Sequence, residues 1–162
     1  MRYHLNLGTN MEPRVATLQR AVALLAACGD VAVSRVVHSA PWGYRSVYEY
    51  LNIGVRLDSR LAPHELLRVT QGVERRLGSG PHRHADGTYR DRLIDIDIVA
   101  CDEFSVHTDT LTLPHPHMAE REFVLRPLAQ LAPYWRHPAT GHSVRRLLAA
   151  FRERTAVRGN SH

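Results

Sequence analysis

The chain has 162 residues, 44% of them hydrophobic and 23% charged, with a formal net charge of +5. That balance fits one globular domain and argues against a disordered or fibrous chain. No apolar run nears the roughly 20 residues needed to cross a bilayer, and no apolar signal core follows Met1-Arg2-Tyr3-His4, so a cytoplasmic protein with no membrane partner is expected. The sequence contains no lysine, so every fixed cation is an arginine, which excludes a Walker-type phosphate loop ending in Gly-Lys-Ser/Thr. Cys28 and Cys101 are too few for a disulfide framework and form no Cys-x-x-Cys pair, so they read as buried thiols.

In chain order, Tyr3 to Leu7 reads as a strand ended by Gly8. Glu12-Pro13 then opens a helix with Val15, Leu18, Val22 and Leu25 at helical spacing, stopped at Gly29. Val31 to Val37 is β-branched and predicts a strand; Ser39 to Val47, with Pro41 and Gly43, predicts a loop. Tyr50 to Leu57 alternates as a strand. Pro63 opens a second helix that turns Leu66, Leu67, Val69, Val73 and Leu77 inward. Gly78 to Gly87 has no period and predicts a mobile loop. Leu93 to Val99 is the strongest strand, Leu111 to Leu113 a short one, Glu122 to Leu131 a helix and Val144 to Phe151 a terminal helix, with a loose tail after about Arg154. The order βαββαβ predicts a single α+β domain over 1–162: a ferredoxin-like antiparallel sheet with helices on one face, plus C-terminal extra elements.

Leu93-Ile94-Asp95-Ile96-Asp97-Ile98 carries the chemistry. Period-two alternation turns Asp95 and Asp97 to one face and the isoleucines to the other. Two carboxylates about 7 Å apart along a strand repel one another unless a cation shares them, and hard oxygen donors suit Mg²⁺. Arg90 and Arg92 flank the pair, and carboxylates for metal beside arginines for phosphate are the equipment of phosphoryl transfer. The other reading is an exposed strand face that carries two aspartates. His115, in Pro114-His115-Pro116-His117, could be a zinc ligand, a phosphate donor or a general acid, or could simply be solvated. Arg121 could bind an anion or be a surface charge. Tyr50, Asn52 and Phe123 form a plausible heterocycle set: Asn52 offers donor and acceptor together, and two aromatics can clamp a flat ring, although both would also suit a core.

In joint order and spacing, these segments resemble 6-hydroxymethyl-7,8-dihydropterin pyrophosphokinases, from Leu5 to about Leu148. The matching pieces are Gly8-Thr9-Asn10, Tyr50-Leu51-Asn52, Gln71 with Glu74, Arg92-Leu93-Ile94-Asp95-Ile96-Asp97, Pro114-His115-Pro116-His117-Met118 and Arg121-Glu122-Phe123. The resemblance implies transfer of pyrophosphate from ATP to the pterin hydroxymethyl group in folate synthesis. It implies two Mg²⁺ ions on Asp95 and Asp97, and a triphosphate bound by Arg92, His115 and Arg121. Gln71 and Glu74 would contact the nucleotide, and backbone groups of Ile98 and Thr112 would read adenine. Asn52 would read the pterin edge, Tyr50 and Phe123 would stack on it, and backbone groups of Ser39, Ala40, Pro41 and Trp42 would complete the pocket. Partners would be small molecules and not nucleic acid, and a monomer is expected.

The sequence departs from the family where Gly-Arg-x-Arg is usual: it reads Gly78-Ser79-Gly80-Pro81-His82-Arg83, and Arg90 could take over phosphate binding. Two alternatives stay open: a relative that binds pterin or ATP without efficient catalysis, and a ferredoxin-like RNA-binding module suggested by the basic charge.

Overall fold

The computed structural model describes residues 1–40, 49–78 and 93–160. Among the described residues, seven strands and four α-helices follow one another as β1 (Arg2–Thr9), α1 (Arg14–Ala26), β2 (Gly29–Val33), β3 (Val37–Ser39), β4 (Tyr50–Ser59), α2 (Pro63–Arg76), β5 (Asp95–Cys101), β6 (Val106–His107), β7 (Thr112–Leu113), α3 (Glu122–Leu131) and α4 (Val144–Gly159). The main sheet is antiparallel in the order β2-β4-β1-β5, with β3 also on β4, while β6 and β7 form a separate hairpin. With two helical crossovers this is the ferredoxin-like βαββαβ arrangement.

Alternation along β1 builds the first core. Tyr3, Leu5 and Leu7 are buried and lie opposite Leu57, Val55 and Ile53 of β4. On the other side, Leu5 and Leu7 lie opposite Ile98 and Ile96 of β5. Against this face α1 packs Leu18, Ala21 and Leu25, and α2 packs Leu66 and Val73. Each such fully buried aliphatic side chain is worth about 1.5–3 kcal/mol of apolar transfer. Helix α2 starts cleanly because Pro63 needs no partner for an N–H and the Glu65 carboxylate accepts from the Ala62 N–H at 2.7 Å.

The expected one-sided helix layer holds for α1 and α2, but α3 and α4 pack on the opposite face. Val99, Ala100, Met118, Val124, Leu125, Leu128, Val144 and Leu147 form a second core there. A bulge makes this possible: Leu5 pairs with Ile98 but His4 pairs with Ala100, so Val99 is the extra residue and both Val99 and Ala100 are buried against the second helix pair.

Other boundaries differ for identifiable reasons. β1 runs through Gly8 to Thr9, because the ladder to β4 continues as Gly8↔Asn52 and Thr9↔Leu51. The single strand expected over 31–37 breaks into β2 and β3: Ser34 Oγ accepts from the Gly54 N–H (2.8 Å), and the Arg35 N–H turns out to Gln130 Oε1 of α3 (2.8 Å). α4 continues past Phe151 to Gly159, tied back by Arg152 Nε to Glu122 Oε1 (3.2 Å) and Arg154 Nη2 to the Ala119 carbonyl (3.1 Å). Both cysteines are free thiols; Cys101 is buried and Cys28 half-buried.

Candidate active site

The sheet face that carries α3 and α4 gathers polar residues in register at one end. Gly8 of β1 lies opposite Asn52 of β4 and, on its other edge, Asp95 of β5. One step along, Asn6 lies opposite Gly54 and Asp97. Paired residues in adjacent antiparallel strands project to the same side, so Asn52, Gly8, Asp95, Asn6 and Asp97 share one face. Asn52 and Asp95 stand two strand spacings apart, about 10 Å.

Asp95 and Asp97 are half-buried on β5, with the Ile94, Ile96 and Ile98 side chains buried on the reverse. Two attachments fix this strand at its start. Thr9 Oγ1 donates to the Leu93 carbonyl just before β5. Glu74 of α2 accepts the Ile96 N–H at 3.2 Å on the edge away from β1, taking the place of a further strand between the two aspartates. The Asp97 side chain is 30% exposed and its Oδ2 lies 3.7 Å from Arg121 Nη1, itself 13% exposed. The Arg121 guanidinium also sits 5.8 Å from the Phe123 ring centroid.

Arg121 and Phe123 are held in place by the start of α3, and a proline explains how. Pro127 has no N–H to offer the Phe123 carbonyl four residues back. Asn6 Nδ2 donates to that carbonyl instead, at 3.0 Å, from beside Asp97. Pro127 also packs on Gly54: a Cβ built there would lie 3.0 Å from Pro127 Cβ.

His115 enters from the loop after β7. Its N–H donates to the carbonyl of the bulged Val99 at 2.7 Å. Burial first, then the charge of Arg121 and the neighbouring His117 ring, push its pKa down to about 4 against the opposing pull of Asp95, so the ring is neutral near pH 7. Its Nδ1 accepts the His117 N–H at 3.1 Å, which assigns the ring proton to Nε2 and makes that atom a donor.

Asn52 is 2% exposed, and its Nδ2 donates to Ser39 Oγ at 2.7 Å. This fixes the amide and leaves Oδ1 over β1. Tyr50 is half-buried beside it on β4.

A cavity of about 290 Å³ brings Asp97, Ile98, Thr112 and His115 together with Leu67 and the Thr108–Leu111 turn of the β6–β7 hairpin. The Ile98 side chain lies in the core, 4% exposed. Gln71 is exposed on α2, and neither Gln71 nor Glu74 lines this cavity. A larger groove, about 680 Å³, opens at the far end of the sheet beside Met1, Cys28, Asp30, Asp58 and Arg60. Its single arginine sits among carboxylates, which opposes a phosphate ligand there. Pro41, Trp42, Ser79, Arg83, Arg90 and Arg92 lie outside the described residues.

The donor set fits a divalent cation of one kind. Among the described residues no group of three or more His, Cys, Asp or Glu could hold a metal, so those residues offer at most the carboxylate pair at this place. Mg²⁺ accepts that, since it takes its remaining ligands from phosphate and water. Zinc, which wants three or four protein donors, does not fit.

The description 7,8-dihydro-6-hydroxymethylpterin-pyrophosphokinase (HPPK) matches residues 4–133. The chain belongs to this family. Among its relatives is the 2-amino-4-hydroxy-6-hydroxymethyldihydropteridine pyrophosphokinase of Porphyromonas gingivalis, 39% identical over 138 residues, which cover 83% of this chain and 92% of that one. The protein of the same description from Bacillus subtilis is 36% identical over 140 residues, covering 85% and 81% of the two chains. The crystal structure of Plasmodium falciparum HPPK-DHPS matches 98% of this chain with a TM-score of 0.77 at 14% identity, which speaks to the fold alone; this chain spans 46% of that one.

Sequence reasoning missed Asn6 and Gly8. Their signal was present: both stand on the period-two face of β1 that the apolar residues avoid, and Pro127 inside an apolar helix pattern announces a carbonyl in need of a donor.

Proposed function

We propose that this chain is a transferase of folate biosynthesis that moves pyrophosphate from ATP to the hydroxymethyl group of 6-hydroxymethyl-7,8-dihydropterin and releases AMP. The chemistry is supported by one observation above the others: a carboxylate pair and a fixed carboxamide stand on one sheet face, about 10 Å apart across Gly8. That spacing suits a nucleotide's phosphates on one side and a flat heterocycle on the other.

In this reading Asp95 and Asp97 would hold two Mg²⁺ ions, which would supply neutralisation of phosphate charge when bound. The cavity of Asp97, Ile98, Thr112 and His115 receives the nucleotide, with the backbone at Ile98 and Thr112 reading adenine and Gln71 and Glu74 flanking it. His115 donates from Nε2 to a phosphate oxygen, and Arg121, with Arg92, supplies the remaining positive charge. Asn52 reads the pterin edge through Oδ1, while Tyr50 and Phe123 enclose the ring and the backbone of Ser39, Ala40, Pro41 and Trp42 completes the pocket.

The pterin hydroxyl attacks the β-phosphorus in line and gives up its proton to solvent, the bond to the oxygen bridging the α- and β-phosphorus breaks, and AMP leaves with that oxygen. No covalent enzyme intermediate is needed, and the protein contributes position and electrostatics. The protein works as a monomer in the cytoplasm, with small molecules and not nucleic acid as partners.

The deciding assay is AMP release by purified protein from ATP and the hydroxymethyl dihydropterin. AMP that requires both the pterin and Mg²⁺, and disappears with a chelator, is the expected result. Binding of either substrate without pterin-dependent AMP would overturn the assignment.

A further inference from the structure

We infer that Gly8 is the floor of the acceptor subsite: a specificity-determining position that is glycine because Asn52 must lie flat across it. The inference rests on the function proposed above and adds a residue to it.

Backbone conformation does not ask for glycine at this position. The glycines with positive φ are Gly29, Gly78 and Gly141, and Gly8 sits in regular antiparallel strand where any residue is at home. Glycine in a strand interior costs stability relative to alanine, so something else keeps it. Space is the reason. A Cβ built on Gly8 would lie 2.7 Å from Asn52 Oδ1 and 3.3 Å from Tyr50 Cδ1, and the next atom is Asn52 Cγ at 3.7 Å. All three belong to the two β4 side chains that face the heterocycle.

Gly54, one step along the same face, shows what a packing glycine looks like: its Cβ would meet Pro127 of α3. No helix atom is among the three nearest to a Cβ on Gly8. Nor is any atom of Asp95, although Asp95 is its partner on β5. The crowding is therefore directed at the acceptor side of the site and away from the metal side. Asn52 cannot yield freely, because its Nδ2 is held by Ser39 Oγ at 2.7 Å. A methyl group on Gly8 would turn the amide off its acceptor-reading position.

The test compares wild type, Gly8→Ala, Asn52→Ala and the double variant by AMP release, with KM measured for pterin and for ATP and Tm recorded for each. Gly8→Ala is expected to raise the pterin KM tenfold or more and to leave the ATP KM within twofold. In the Asn52→Ala background, where the obstructed amide is gone, the same substitution is expected to change the pterin KM less than threefold. That background also relieves the clash, so it answers the question even if Gly8→Ala alone folds poorly. An unchanged pterin KM in Gly8→Ala, an equal rise in the ATP KM, or an undiminished effect in the Asn52→Ala background each overturns the inference. Wild type that releases no pterin-dependent AMP is a different result: it removes the proposed reaction, and the acceptor subsite with it.

Discussion

Asn6 and Pro127 form a pair whose coupling can be measured. Pro127 deprives the Phe123 carbonyl of its helical donor, and Asn6 Nδ2 supplies one at 3.0 Å from a buried position on β1. Asn6→Leu keeps the shape but leaves that carbonyl unmet, at a cost of about 1–3 kcal/mol. For a domain of this size that is a fall in Tm of roughly 2–4 °C per kcal/mol. Pro127→Ala gives the helix back an N–H aimed at the same carbonyl. In the Asn6→Leu background it should therefore recover more stability than in wild type, by about 1–2 kcal/mol. Generic helix-propensity gains and any loss of contact with Gly54 occur in both backgrounds and cancel from the difference. The assay is urea unfolding of the four proteins, with the pterin KM measured alongside because α3 carries Phe123 next to Arg121. The KM should rise in Asn6→Leu and recover in the double variant. Stabilities that add to within about 0.5 kcal/mol would refute the reasoning, since uncoupled sites behave that way.

Three further outcomes follow from the same geometry. Asp97→Ala should leave a folded protein with turnover lowered at least a hundredfold, measured as AMP release across a Mg²⁺ titration; near-normal rates would remove the carboxylate pair from the mechanism. Arg121→Lys keeps the charge but loses the flat guanidinium that reaches Asp97 at 3.7 Å and lies over Phe123, so kcat/KM should fall about tenfold with Tm nearly unchanged. His4 is buried, with Nε2 2.7 Å from Asp102 Oδ1, and burial holds its pKa below the ordinary value despite that carboxylate. The folded state thus resists protonating His4, so its contribution is complete above the unfolded pKa of about 6.5 and is lost as pH falls below it. Urea midpoints at pH 7.5 and 5.5 should show a smaller acid loss in His4→Gln than in wild type.

Much of this fold is legible from local pattern. Alternation in β1 and β4, the 3.6-residue period of α1 and α2, and the Glu122–Leu131 helix all follow from spacing alone, because each element buries one face. The same alternation turns Asp95 and Asp97 one way and Ile94, Ile96 and Ile98 the other. What escapes local reading depends on partners far away in sequence. Gly8 looks like a strand end until β4 and β5 pair on both sides of it. The break between β2 and β3 is made by Gly54 and Gln130, and the bulge at Val99 by the need to bury it under α3 and α4 while its carbonyl holds His115. The tautomer of His115 depends on a backbone N–H two residues on, a detail that composition cannot carry.

The charge arrangement explains why the carboxylates sit on a strand and not on a loop. Among the described residues at this end of the sheet, Asp95 and Asp97 face Arg121 and a neutral His115, so the fixed charge does not favour a bare triphosphate. On the proposed reading a divalent cation would reverse that balance, provided both carboxylates stay where it can share them. Strand β5 provides this by being tied on both edges, to β1 along its ladder and to Glu74 at Ile96, with Thr9 holding the chain just before Asp95. A loop would have to order these two like charges at each encounter, at about 1–2 kcal/mol per residue fixed. Folding has already met that cost here, and the buried isoleucines on the reverse of β5 supply the offsetting stability.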